Sequence, residues 1–407
     1  MAEIAALPQQ QRNRELWTAM NDLKAVRPLV YVRDYPLYLL QYNDELITRT
    51  EETFLQDIEQ NLLLRIYEWN HLRGDRVIDP YIECPVVFTD SGFGVEGGYS
   101  NLASNNVKEG YYDQSKHFDP VLFNMDDVEK IKTPVVEYDE TTTMERFNLL
   151  NDIFRDIMPV KLFGRCHFRC TLMDDIMTRT GIDEGMTHLA MEPEFMHALA
   201  EKYIDAQIAR IKQYEKLGIL SSNNNSKNIG NNCIGFTSDL PPPPESGIGA
   251  RIADIWGENA DQIMTSVSPA MTQEFAFDHE KKWASLFPLH SYGCCERLDN
   301  KLDLLTLSFP NLRKVSSSPF SNLETAIEQL GNRYVISFKP NSVYLVGDKP
   351  NMDILREEFK AACELAQKYE VNLVFNMKTL INLNGEPRRL WQWCDMAYEM
   401  IQAYFGA

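Results

Sequence analysis

The sequence predicts an α/β protein: a (β/α)8 barrel with an N-terminal helical extension and elaborated loops. Three observations carry this expectation. From Ala253 to Tyr404, strand and helix signals alternate at a spacing that implies parallel strands joined by crossover helices. With 407 residues, 44% of them hydrophobic, the chain can bury the core of one large barrel. Finally, Leu289-His290-Ser291-Tyr292-Gly293-Cys294-Cys295-Glu296 places an imidazole, two adjacent thiols and a carboxylate where an apolar run gives way to a helix-starting segment. Barrels collect their chemistry in such strand-to-helix loops.

Residues 1–407 read as one domain, of which 1–75 form a mainly helical N-terminal part. A helix at Glu15–Leu23 leads into a β-branched strand at Val26–Val32. Phe54, Ile58, Leu62, Ile66 and Trp69 share one face of a helix starting near Thr50. Arg76–Thr89, interrupted by proline, reads as extended and is followed by an excursion to about residue 125. Val160–Phe163 and Met186–Met191 are strand candidates, and Pro193 opens a helix lined by Phe195, Leu199, Ile204, Ile208 and Ile211. The Ser- and Asn-rich run from Ser221 to Gly230 and the prolines from Pro241 to Pro244 read as loops elaborating one face. Helices at 260–267 and 269–283 come next. The series closes with strand 286–292, helix 297–305, strand 311–317, helix 322–330, strand 334–338, helix 352–369, strand 371–375 and helix 386–404. Ser321 and Glu324 fit a capping box for the helix at 322.

Fifty-nine acidic against forty basic residues give a net charge of -19, which argues against nucleic acid or an anionic membrane surface as partner. No apolar run approaches the roughly 20 residues of a spanning helix. Met1–Arg14 has no apolar signal core, so a cytoplasmic location is expected. The eight cysteines follow no framework spacing and are expected to be free thiols or ligands.

Vicinal thiols can simply fill a tight turn. Beside His290 and Glu296, however, Cys294 and Cys295 point to a metal, because thiolate with imidazole is the ligand set zinc prefers. No second Cys-x-x-Cys is present, so an open site gathered from several strands fits better than a closed structural one. Cys166-His167-Phe168-Arg169-Cys170 reads as a partly buried turn, and His188, His197 and His279 as structural histidines. Lys339, Asn376 and Lys378 fall at strand ends that would ring the same mouth. Asp254 and Trp256, between a Gly-rich loop and a helix, are further candidates to face a ligand.

With these residues in view, the sequence resembles the uroporphyrinogen decarboxylase-like superfamily and, within it, the corrinoid-dependent methyltransferases. The resemblance spans nearly the whole chain. It rests on Val26-Arg27-Pro28-Leu29-Val30, Asp254-Ile255-Trp256-Gly257 with Gln262, Val267-Ser268-Pro269 with Glu274-Phe275, Tyr292-Gly293-Cys294-Cys295-Glu296, Pro310–Val315 and Pro387–Trp391. It implies a (β/α)8 barrel with its site at the carboxyl ends of the strands. Zinc-dependent members carry a His-x-Cys-Gly element. Aligned on the glycine, His290 matches the histidine and Tyr292 stands at the cysteine, leaving Cys294 or Cys295 to substitute, with Glu296, Glu83 or Cys84 for the third ligand. Where porphyrinogen decarboxylases have an Arg-Gln-Ala-Gly-Arg type segment, this chain has Tyr31-Val32-Arg33-Asp34-Tyr35-Pro36.

The Tyr-Gly-Cys-Cys-Glu element resembles the first methyltransferase of O-demethylase systems. It implies methyl transfer from a methoxylated aromatic to the cobalt of a separate corrinoid (cobalamin) protein, with zinc assistance. Under it, His290, Cys294 and Cys295 are the expected metal ligands, Tyr292, Glu296 and Lys378 the catalytic groups, and Glu83, Asp254, Trp256, Lys339 and Asn376 the substrate contacts. Two other readings stand beside it: a decarboxylase or lyase of an aromatic or tetrapyrrole acid, and a metal or corrinoid carrier without catalysis. Homodimerisation is left open.

Overall fold

The computed structural model describes residues 1–101 and 116–406; part of the expected excursion to residue 125 therefore lies outside the described residues. The central strands are β1 (Leu29–Val32), β2 (Ile82–Pro85), β3 (Val160–Phe163), β4 (Arg169–Cys170), β5 (Trp256–Asn259), β6 (Leu289–Tyr292), β7 (Leu312–Ser317), β8 (Val335–Phe338) and β9 (Asn372–Met377). Seven of them form one parallel sheet in the order β1-β9-β8-β7-β6-β5-β4. β2 and β3 form a separate parallel pair, and the chain passes from β3 into β4 through residues 164–168. The α/β class and parallel pairing agree with the sequence reading. Among the described residues the parallel ladders form one seven-stranded sheet and one separate pair, and two antiparallel pairs, Val87–Asp90 with Val136–Asp139 and Tyr99–Asn101 with Lys116–Phe118, make up the other ladders.

Alternation along each strand separates two faces. Val30, Val32, Val315, Ile336, Phe338, Leu373, Phe375 and Met377 turn outward into the largest apolar cluster, under the helices. The helix Met352–Tyr369 shows why these helices form: Leu355, Phe359, Ala362, Cys363 and Ala366 make its buried stripe, and Asn351 caps its start. Phe359 stacks on Phe375 at 3.6 Å between ring centroids. Each such fully buried aromatic or leucine contributes about 1.5–3 kcal/mol.

The inner face is built differently. Leu29, Tyr31, Val335 and Val374 meet Trp17 and Met20 of the helix Pro8–Asn21, which closes the amino-terminal end of the sheet. Further along, the inward positions are small or polar: Ser291, Ser316, Ser337 and Asn376, all buried. They leave room for backbone, and the segment 219–236 occupies it. Asn232 Nδ2 donates to Ser291 Oγ (2.7 Å), Asn376 Nδ2 to the Asn231 carbonyl (3.0 Å), and Lys314 Nζ to the Ile234 carbonyl (2.6 Å). The expected surface loop at Ser221–Gly230 is thus largely interior. Its asparagines serve the buried backbone that water would otherwise solvate: Asn223 bridges Cys166 and Trp256, and Asn224 binds Thr237, Leu240 and Pro241.

Other elements differ locally. Met186–Met191, expected as a strand, ends the helix Ile182–Met191, whose buried Gly185 and Leu189 lie four apart on one face. Residues 262–266 form a 3-10 turn, and the helix from Pro269 to Ala284 carries a π-turn at Gln273–Phe277. Asn322 rather than Ser321 caps the helix Leu323–Leu330. The 297–305 helix begins only at Leu302. Within the first 75 residues, β1 sits in the central sheet between helices. No helix among the described residues is long and apolar enough to cross a membrane.

Candidate functional site

The inward alternation continues past the strand ends. Two residues beyond Ser337 stands Lys339, two beyond Asn376 stands Lys378, and two beyond Ser291 the chain turns at Gly293. Gly293 takes φ +102, and a Cβ there would lie 2.8 Å from Ser316 Cβ, so glycine lets the loop fold down over β7. Cys294 then enters the mouth. Its carbonyl accepts from Lys339 Nζ (2.5 Å) and Ser316 Oγ (2.7 Å), and its N–H donates to Glu296 Oε2 (2.7 Å). Its Sγ lies 3.3 Å from Lys378 Nζ and 3.6 Å from Cys295 Sγ. Lys378 also donates to Asn231 Oδ1 at 2.9 Å and faces Asp34 at 3.5 Å. Cys295 is half-buried and Asp34 about half exposed, so the cluster opens to solvent on this side.

Burial and charge set the protonation states. Desolvation brings Lys339 down to about 8, with the Lys378 ammonium adding to the effect. Burial raises Glu296 to about 7, the Cys294 thiol reinforcing the shift. The hydrogen bond between the thiols holds Cys295 well below its usual range, helped by Lys378 and Lys339, and pushes Cys294 up. Glu258 points into the same end of the interior. Burial raises its carboxyl, and it accepts from Asn231 N–H. This arrangement supplies one accessible thiolate, two cations and two carboxylic acids biased toward their neutral forms.

Of the residues expected from sequence, the structure brings together Cys294, Cys295, Glu296, Lys339, Asn376 and Lys378. Others lie elsewhere. His290 and Tyr292 flank the inward Ser291 and therefore turn outward beneath the helices. His290 Nε2 bonds Asn259 Oδ1 (2.7 Å), its ring stacks on Phe309, and burial lowers it to about 3. Tyr292 OH donates to Glu280 Oε2 (2.9 Å). Asp254 precedes β5 and pairs with Arg251. Trp256 opens β5, far from the mouth, packed against Leu289 in the interior. Glu83 on β2 is held by Lys227 (2.6 Å) and Arg65 (3.1 Å). Sequence reasoning missed Asn231, Ser316 and Glu258. Alternation from Lys314 would have found Ser316, and from Trp256 would have found Glu258; nothing local marks Asn231.

The expected zinc set does not assemble. The sheet separates His290 from the thiols, no group of three His, Cys, Asp or Glu side chains among the described residues is placed to hold a metal ion, and the Lys378 ammonium lies against the Cys294 sulfur where a metal's charge would sit. These donors do not fit a three-ligand zinc centre.

No family model matches the chain, and no curated protein matches it. Among solved structures it is similar to a methyltransferase from Methanosarcina mazei, at 12% identity and a TM-score of 0.49, over 95% of this chain and 98% of that one.

Proposed function

We propose that the chain is a methyltransferase that takes the methyl group of a methoxylated aromatic and delivers it to a corrinoid protein, using Lys339 and Lys378 in place of zinc. The observation that carries this reading is the convergence of these two buried lysines on the Cys294-Cys295 loop at the carboxyl end of a parallel sheet. An aryl methyl ether parts with its methyl group only if the phenolate left behind is neutralised. A phenol titrates near 10, so an ammonium held at about 8 can protonate that oxygen as the bond to methyl breaks. Lys378 supplies fixed positive charge beside it. Glu296, tied to Cys294 N–H, holds the loop in place. A corrinoid carried by a partner protein would supply the methyl acceptor when docked at this mouth, a role implied by the Tyr-Gly-Cys-Cys-Glu resemblance.

The test is phenol release from methoxylated aromatics in the presence of a reduced corrinoid protein. Lys339→Met is expected to lower the rate by roughly 10²–10⁴-fold, the usual worth of a positioned acid, and Lys378→Met by a similar factor. Turnover unaffected by Lys339→Met would sink the acid role. The same lysines could instead anchor a carboxylate, which keeps decarboxylation as the second reading. Carbon dioxide release from aromatic acids without any corrinoid would favour it.

A further inference from the structure

Cys294 and Cys295 differ from the other six cysteines in a way the proposed reaction does not use. Their sulfurs lie 3.6 Å apart, with Cys295 half-buried and Cys294 buried beneath it. Cys295 Sγ also sits 3.9 Å from Thr379 Oγ1 at the rim. The inter-thiol hydrogen bond and the two lysines hold Cys295 toward the thiolate while Cys294 keeps its proton. Cys84, Cys166, Cys170, Cys233, Cys363 and Cys394 are buried, and burial pushes each of them up, which leaves them inert. One reactive sulfur thus has a protonated partner within contact and no competitor elsewhere.

We propose that Cys294 and Cys295 are an oxidisable vicinal dithiol, a modification site that reacts with hydrogen peroxide and closes to a disulfide between adjacent residues. The Cys295 thiolate attacks one peroxide oxygen, an S–O bond forms, the O–O bond breaks, and hydroxide leaves. The Cys294 sulfur then attacks Cys295: the S–S bond forms, the S–O bond breaks, and the departing hydroxide takes the Cys294 proton as water. Peroxide gains two electrons and the thiol pair loses two. Adjacent Cα atoms are about 3.8 Å apart, below the usual span of about 4.4–6.8 Å, so the bridge is strained and opens readily to excess dithiol. Closure draws Cys294 Sγ away from Lys378 and rearranges the mouth.

The experiment treats the full chain with hydrogen peroxide and reads intact mass and thiol count, neither of which depends on the proposed methyl transfer. The expected product is lighter by two hydrogen atoms, has six of its eight thiols still alkylated after denaturation, and reverts with dithiothreitol. Cys295→Ser should slow the reaction by about tenfold or more. Cys294→Ser should stop at one added oxygen that dimedone traps. Phenylarsine oxide, which needs two adjacent thiols, should bind the unaltered protein in one equivalent, so the pairing is tested even if a variant misfolds. Persistent oxygen addition in the unaltered protein without loss of two thiols, or failure to bind the arsenical, would overturn the proposal.

Discussion

Glu280 illustrates how one buried group sets a property of the whole chain. Its carboxyl accepts from Asn259 Nδ2 (2.7 Å) and Tyr292 OH (2.9 Å) and faces Asp261, with Glu296 adding charge nearby and Lys301 donating away to the Met264 carbonyl. Burial first, with the Glu296 charge behind it, raises it from 4.5 to about 8 against the hydrogen bonds from Asn259, Tyr292 and Asp261, and Asp261 is itself raised by burial and by the Glu280 charge. Folded, Glu280 holds a proton that the unfolded chain gives up above about 4.5. Its contribution is therefore complete below that pH and is lost as pH rises through about 8. The melting temperature is expected to fall between about pH 5 and pH 8, and Glu280→Gln, which keeps a neutral side chain, should flatten the slope. A melting temperature that rises across this window, with the same slope in the variant, would remove the protonated pair. The same reasoning shows why His290 and Tyr292 misled the reading of the sequence. Adjacent letters suggested one cluster with the thiols, whereas a strand sends every second side chain to the opposite face.

At the scale of elements, the strands and helices after Ala253 were legible because apolar residues recur with the right period and carry caps and turns. Lys339, Asn376 and Lys378 could be placed because each extends or ends an apolar strand. The interior segment 219–236 was not legible. Its Ser and Asn content is what a solvated loop shows, and only the small inward residues of β6, β7 and β8 hint that something must fill the space. Its stability should rest on side-chain amides. Asn224 donates to three carbonyls and accepts from Thr237 N–H, all buried except the part-buried contact to the Pro241 carbonyl. Asn224→Ala strands those groups and is expected to cost about 3 kcal/mol in urea unfolding, since each buried unsatisfied group costs about 1–3 kcal/mol. A loss under about 1 kcal/mol would mean that water reaches the segment. Gly230 adds a steric requirement: at φ +44, a Cβ would overlap the Glu258 carboxylate.

For the molecule as a whole, the alternation of strand and helix signals anticipated the α/β class and the parallel pairing, while the separation of the β2–β3 pair from the seven-stranded sheet carries no periodic signal in the sequence. The metal content of the whole protein is the simplest global check on the site. Elemental analysis after metal-replete purification is expected to find less than stoichiometric zinc, unchanged by a Cys294→Ala, Cys295→Ala double variant. A full equivalent that disappears in the variant would restore zinc to the mechanism. One feature of the sheet bears on how the protein comes into being. β1 has β9 as its ladder neighbour, with Leu29 opposite Val374, 345 residues later. At roughly 5–20 residues per second, a ribosome takes on the order of 20–70 s to make that intervening length. Throughout this interval the nascent β1 lacks the strand it will pair with, and for the earlier part of it Asn21 also waits for the Ile234 and Phe236 carbonyls, 213 and 215 residues later, that it will bind. The amino-terminal strand is thus a sticky edge during synthesis, and Trp17 and Met20 of the helix before it complete their packing only once Val335 and Val374 have been made.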